Sequence, residues 1–358
     1  MTTTLQDSNI LVIGAGLIGT SIALGLKTHG ERVFLQDLDP AALETACTKS
    51  GAEKLPLNQE IDLVIVATPP NSVASVIRQA AKDHPIAVVT DVASVKGSIF
   101  ADLADEPMDV LRRIVGGHPM AGREVSGSAG AKANLFVDRP WVIIRNSVTD
   151  ESAFESVVEL ALALGAIPIQ RSSDEHDKAV ALVSHTPQVV ASVMASQLIG
   201  APDSHVEMAG QGIRDTIRIA ASDSDLWSEI LSSNAREVVV QVNAVADALR
   251  DVAEALSVGN TQKIASILAS GNLGQRRLPG KHGVGASADS LVLVRLEDKP
   301  GELARLFAVA AKADVNLEDV RIDHSLGRMT GLVELTVAKE SAGALESALQ
   351  AEGFSVIA

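Results

Sequence analysis

Short runs rich in β-branched residues recur through the first half of the chain, at 10–13, 32–36, 63–67, 87–90 and 141–144. Stretches with apolar residues at helical spacing lie between most of them, at 17–28, 40–50 and 70–82. The strand runs are apolar throughout rather than alternating, as strands buried on both faces should be. Strand–helix alternation of this kind predicts a Rossmann-type α/β domain, a parallel sheet covered by helices on both faces. After about residue 170 the strand signal stops, and helical periodicity fills 176–200 and 226–257, predicting an all-α second domain. A glycine-rich stretch, 270–289, reads as a linker. The last block returns to a strand at 291–296, a helix at 301–313, a hairpin of 317–324 and 329–337 turning through Leu326-Gly327-Arg328, a helix at 341–351 and a strand at 354–357. That order is the ferredoxin-like βαββαβ plan. The expected domains are therefore 1–172, 173–270 and 289–358, with 271–288 linking the last two.

Charge and composition remove several function classes. A formal net charge of −15 repels a polyanion, so no nucleic-acid partner is expected. The one short basic run, 276–282, falls in the predicted linker. The N-terminus carries no basic segment, and the apolar run at 10–13 is too short for a secretion signal or a membrane span, which predicts a cytoplasmic protein with no membrane partner. The single cysteine, Cys47, forbids an intramolecular disulfide, and the eight histidines show no metal-ligand spacing, so no metal is expected. The chain contains no tyrosine, an oddity that composition alone accounts for where all aromatics are scarce.

The segment Gly14-Ala15-Gly16-Leu17-Ile18-Gly19 follows the first strand and opens the first helix. In such a turn the first glycine permits the bend, the second lets backbone approach a pyrophosphate, and the third lets helix pack close to sheet. The N–H groups of the helix start then face the phosphates. Asp37 ends the second strand, where a carboxylate accepts hydrogen bonds from ribose hydroxyls and repels a 2′-phosphate; this favours NAD over NADP. Asp39, the nearby competitor, reads as the N-cap of the next helix, with Pro40 at its first position. Thr68, just past the 63–67 strand, joins Gly14, Gly16, Leu17, Ile18, Gly19 and Asp37 as a cofactor-site residue.

Three polar segments break the apolar pattern. Asp91-Val92-Ala93-Ser94-Val95-Lys96-Gly97 follows a strand, and 116–124 contains His118-Pro119 and ends on Glu124; both should lie at the carboxyl edge of the sheet, where open α/β folds bind ligands. The third holds His176-Asp177 and Ser184-His185-Thr186-Pro187. Nine residues separate the histidines, which on a straight helix puts them about 180° apart. Only one can face a cleft unless the helix is broken, and Pro187 is a candidate to disturb it; His185 is the one favoured. Further on, Arg214 and Arg218 share a helix face if the segment is helical, an arrangement suited to a dianion because guanidinium pairs bidentately with carboxylate. Each piece also has a bland reading: a His-Pro turn, a solvated charged face, a helix-start histidine, an exposed Lys96, a core Trp227.

Taken in order, GxGxxG, DVxSVK, GxHPMAGxE, HDxxxAxxSHxP and GxxIRDxxRIA, followed by Asp225-Leu226-Trp227-Ser228-Glu229 and Asn234, resemble the prephenate/arogenate dehydrogenase family over about residues 9–245. The resemblance implies that His118 accepts the proton of the substrate's ring hydroxyl and that Ser94 positions both that hydroxyl and the histidine. It also implies that Arg218 binds a substrate carboxylate, that His185 is a second substrate-site histidine, and that Glu124 stands at the pocket mouth. The implied reaction is oxidative decarboxylation of prephenate to 4-hydroxyphenylpyruvate with NAD, or of arogenate to tyrosine. A histidine titrating near neutrality suits the proton transfer; the acids Asp174, Glu175 and Asp177 are candidates for telling keto from amino side chain. In the last block, Asp298-Lys299-Pro300-Gly301 and Val315-Asn316-Leu317 resemble ACT domains, which implies a tyrosine or phenylalanine effector near Pro300, Gly301 and Asn316, and a homodimer. Asp314 stands where that family has glycine, so the loop backbone is expected to differ. Two competing readings remain: a β-hydroxyacid dehydrogenase, for which no lysine base is found after residue 170, and a non-catalytic sensor of NAD and amino acids.

Overall fold

The computed structural model describes residues 8–122, 127–278, 289–324 and 330–357, and the chain falls into two compact units, Met1–Ala246 and Asp247–Ala358. The first is built on a sheet of β1 (Asn9–Ile13), β2 (Arg32–Gln36), β3 (Glu53–Lys54), β4 (Leu63–Val66), β5 (Val88–Asp91), β6 (Ile114–Pro119), β7 (Pro140–Arg145) and β8 (Ile167–Gln170), in the order β3-β2-β1-β4-β5-β6-β7-β8. Strands β1 to β6 are parallel, as expected, but β7 runs antiparallel to β6, with β8 parallel to β7. The wholly parallel expectation is corrected there. A parallel neighbour needs a crossover, usually a helix; between β6 and β7 the described residues hold only the short 3-10 turn Ser128–Gly130, and the chain returns in the opposite sense.

Helices α1 (Leu17–Thr28), α2 (Pro40–Ser50), α3 (Pro70–Asp83), α4 (Gly97–Asp102), α5 (Met108–Leu111) and α6 (Glu151–Ala163) fill the connections. One core packs α1, α2 and α6 on the sheet through Ile22, Leu26, Ala46 and Leu160; the other packs α3 and α4 through Val73, Ile77, Ile99 and Leu103. The helical segment follows as α7 (Ser173–Val180), a π-helical turn Ala181–His185, α8 (Thr186–Ser196), α9 (Asp203–Val206), α10 (Gln211–Ile217), a 3-10 turn Arg218–Ala221, α11 (Ser224–Ser233) and α12 (Ala235–Ser257). A capping box starts α7, with Ser172 and Glu175 each bonding the other's backbone, which satisfies N–H groups the helix leaves open. The stretch Ser173–Ser196 is long and apolar enough to cross a membrane. It nevertheless carries Asp177, whose carboxylate accepts backbone N–H groups from Lys96 and Gly97 at the start of α4, which ties the segment to α4.

In the second unit, α13 (Thr261–Gln275) extends past the expected linker start, so that Gly271 and Gly274 are helical. Each costs about 1 kcal/mol against alanine in a helix, set against the N-cap that Asn260 provides by accepting from the Lys263 N–H. The rest of the expected linker, 279–288, and the expected turn at 325–329 lie outside the described residues. Strands β9 (Asp289–Glu297), β10 (Asp319–His324), β11 (Thr330–Ala338) and β12 (Ser355–Ile357), with α14 (Glu302–Lys312) and α15 (Ala342–Ala351), form an antiparallel sheet of order β10-β11-β9-β12, the βαββαβ plan read from the sequence. Alternate residues Val292, Val294 and Leu296, with Val333, Leu335 and Val337, meet Leu306 and Leu345 of the two helices in one core. Asp314 adopts φ 55°, the left-handed region that a glycine there would favour and that aspartate tolerates better than most residues; the substitution leaves the backbone a glycine-like turn.

The glycine loop is packed against the sheet. A methyl on Gly14 would overlap the Ala67 carbonyl, and one on Gly19 would overlap the Gly14 carbonyl and press Val12 at 3.1 Å. Gly19→Ala should lower stability by about 1–3 kcal/mol through overpacking, seen as a lower thermal midpoint; an unchanged midpoint would show that α1 can move away from β1 at no cost.

Candidate active site

The nucleotide loop sits between β1 and α1, beside β4, where the strand order reverses direction and open α/β sheets leave a crevice. Gly14 N–H donates to the Gln36 carbonyl and Ala67 N–H to that of Ile13, which fixes the turn across three strands. Gly16 is different from its partners: a methyl built there meets nothing within 4 Å, and α1 opens at Gly16 with no side-chain cap. Space and uncapped helix start coincide, as a pyrophosphate cradle requires. Asp37 lies at the end of β2 and accepts from the Ala15 N–H at 2.6 Å and the Asp39 N–H at 2.8 Å, so one carboxylate both closes the loop and keeps lone pairs for a ligand. Asp39 caps α2 through the Ala41 N–H, with Pro40 in the first turn, as the sequence indicated. The Thr68 hydroxyl is buried without a hydrogen-bond partner.

His118 lies near the C-terminal end of β6, a strand absent from the runs legible in the sequence, where 116–124 stands out as a polar segment; all six of its residues are buried. Around His118 the structure gathers Lys96, His176, Asp177, His185 and Asn234, all buried. The His118 Nδ1 lies 2.7 Å from the His176 Nε2, and the His176 Nδ1 lies 2.7 Å from the Asp177 Oδ1. The Asp177 carboxylate also accepts from Lys96 N–H at 3.0 Å and Gly97 N–H at 2.7 Å. Gly97 has to lack a side chain: a Cβ there would stand 2.8 Å from the Asp177 Oδ2. Lys96 is wholly buried and paired with Asp91.

The structure brings both His185 and His176 into this cluster, rather than one of the two. Both are buried in this cluster, at 1% and 2% exposure. Pro187 has no N–H to donate to the carbonyl of Val183, four residues back, and the helix opens into a π turn there. That turn absorbs one extra residue, which reduces the angle between the histidines from about 180° to about 80°. The Asn234 amide N donates to the Asp177 carbonyl at 2.8 Å and lies 3.2 Å from the His185 Nδ1. A carbonyl can only accept, which fixes that amide end as NH₂; the His185 Nδ1 is then the acceptor and Nε2 carries the hydrogen. Nε2 is buried with no protein partner, an N–H left for a ligand. Trp227 packs its ring edge-on to His185 at 6.1 Å between centroids.

Electrostatics sort the cluster into neutral and charged members. Burial, then the positive charge potential of His176, Lys96 and His185, pushes His118 well below the ordinary histidine range, so it is neutral at pH 7. Burial lowers His185 to about 4. For Asp177 burial acts upward, but hydrogen bonds from His176, Gly97 and Lys96 outweigh it and hold the carboxyl below its usual value. Burial also lowers Lys96, against the pull of Asp91.

The Ser94 hydroxyl is buried without a hydrogen-bond partner, and the His118 Nδ1 is engaged by His176. Arg214 and Arg218 are exposed, Arg214 on α10 and Arg218 at the following 3-10 turn, both segments packing on α8. Glu124 lies outside the described residues. Of the acids offered for side-chain discrimination, Glu175 is engaged in the capping box and Asp177 in the cluster.

Comparison with known proteins gives a consistent outcome. A family model described as the prephenate dehydrogenase nucleotide-binding domain matches residues 22–169, and one described as the prephenate dehydrogenase dimerization domain matches 172–270. A probable prephenate dehydrogenase of Streptomyces niveus, NovF, is 33% identical over 87% of this chain and 89% of its own length. A crystal structure of prephenate dehydrogenase from A. aeolicus with hydroxyphenyl propionate and NAD+ superposes with TM-score 0.70 at 25% identity, covering 76% of this chain and 99% of that one. A Synechocystis arogenate dehydrogenase gives TM-score 0.63 at 26% identity, covering 75% and 98%.

The two depressed histidines of the cluster make stability pH-dependent. Unfolded histidines titrate near 6.5, so as pH falls below that the unfolded chain binds protons that the native His118 and His185 refuse, and stability drops; above it their contribution is flat. The thermal midpoint should therefore fall between pH 7 and pH 5, and fall less steeply in His185→Gln. Parallel pH profiles for the two proteins would show that His185 is not held neutral.

Proposed function

Because the chain belongs to the prephenate dehydrogenase family, we propose that it catalyses the NAD-dependent oxidative decarboxylation of prephenate to 4-hydroxyphenylpyruvate, a step of tyrosine biosynthesis. The observation that carries this reading is the buried, neutral His118 at the carboxyl edge of the sheet, in the same unit as an open glycine cradle. Bound NAD supplies the hydride acceptor; Gly14, Gly16, Leu17, Ile18 and Gly19 form its phosphate turn, with Asp37 and Thr68 beside it. His118 takes the proton of the ring hydroxyl as the carbinol carbon loses hydride, and the ring carboxylate departs as carbon dioxide, leaving an aromatic ring. Ser94, with its unpaired hydroxyl, orients the ring hydroxyl. His185 offers its Nε2–H to a substrate oxygen, while Arg218 and Arg214 attract the dianion. The likeness to the Synechocystis enzyme keeps arogenate as the alternative substrate.

We further propose a cytoplasmic homodimer. The dimerization-domain match and the exposed apolar side chains Val193 and Met194 on α8, and Val239 and Val240 on α12, support pairing through the helical segment. The βαββαβ module is read as an ACT domain that binds tyrosine or phenylalanine near Pro300, Gly301 and Asn316. Beside Pro300 and Gly301 a groove runs along Leu296, Glu297, Leu303 and Val333.

His118→Asn should retain NADH binding and lose about 10²–10⁴ in turnover, with NADH formation followed on prephenate and on arogenate. Near-normal turnover would remove His118 as the base, and turnover on arogenate alone would reassign the substrate. Tyrosine should inhibit the full chain, and Asn316→Ala should relieve inhibition with uninhibited turnover unchanged; equal inhibition of both proteins would place the effector elsewhere.

A further inference from the structure

A neutral imidazole is a base at one nitrogen only, and which nitrogen that is depends on the partner of the other. Three donors converge on the Asp177 carboxylate: the N–H groups of Lys96 and Gly97, which can only donate, and the His176 Nδ1 at 2.7 Å. A carboxylate that accepts two backbone N–H groups is ionised, so it accepts from His176 as well, and the hydrogen of neutral His176 sits on Nδ1. Its Nε2 is then a lone pair, 2.7 Å from the His118 Nδ1. The hydrogen between the two rings therefore belongs to His118. A second proton on His176 would reverse this, by making its Nε2 a donor to the His118 Nδ1.

We propose that Asp177 and His176 are positioning residues that hold His118 as the Nδ1–H tautomer, leaving its Nε2 as the nitrogen that accepts the substrate proton. This rests on the reading of His118 as the base. The direction of each hydrogen bond is passed along the chain Asp177, His176, His118, and the π turn at Ala181–His185 lets His185 join the same cluster without displacing His176.

The wild-type protein tests this directly. Two-dimensional ¹⁵N NMR of the histidine rings should show His118 protonated at Nδ1 and His176 protonated at Nδ1 only; His118 protonated at Nε2, or His176 as an imidazolium, overturns the proposal. Kinetics give a second reading. His176→Gln places a carbonyl oxygen near the former Nε2, which can still accept from His118, and should keep turnover within about tenfold. His176→Met fills similar space without an acceptor and should lose about 10²–10⁴ in kcat with little change in KM, the scale set by other histidine bases held in the wrong tautomer. Equal activities of the Gln and Met variants would reduce His176 to packing and overturn the proposal. An inactive His118→Asn together with equal activities of the His176→Gln and His176→Met variants would sink the positioning role while leaving the base assignment intact. An active His118→Asn would remove both.

Discussion

Asp177 is the carboxylate on which the site depends. It is 7% exposed, and it belongs to α7 while bonding the first N–H groups of α4. A buried carboxylate without partners would be costly or would take up a proton; here donors surround it, and its charge is kept. One group thereby fastens the helical segment to the sheet, caps a helix 80 residues away in sequence, and orients His176. The geometry of the histidine cluster and the packing of the two segments rest on the same set of hydrogen bonds, so neither can drift without the other.

Much of this was legible in the sequence because it is local. The GxGxxG turn, the Asp39–Pro40 helix start and the βαββαβ order each depend on residues within a few positions of one another, and the structure shows all three. What escaped was set by tertiary contact. Strand β6 carries Gly116-Gly117, which have no strand propensity, and it is a strand because β5 and β7 pair with it on either side. The phase of His176 against His185 does not follow from a 100° rotation per residue, because one π turn changes it; Pro187 is its one visible signal in the sequence. The pairing of Lys96 with Asp91 spans five residues and was open to inspection, yet a lysine after a strand is usually solvated.

The charged segment from Asp91 to Gly97 shows why burial there serves geometry more than stability. A buried ion pair such as Asp91–Lys96 seldom repays its desolvation. What it supplies is order. The Asp91 carboxylate accepts the Ala93 N–H at 2.8 Å as well as the Lys96 ammonium, and Asp177 takes the N–H groups of Lys96 and Gly97, so the loop is held from inside and from across the cleft. Ser94 lies between these two anchors. Its hydroxyl, the Thr68 hydroxyl and the His185 Nε2 are buried without partners, at a cost of about 1–3 kcal/mol each. A ligand that pairs with those atoms removes that cost on binding, and one that cannot leaves it in place.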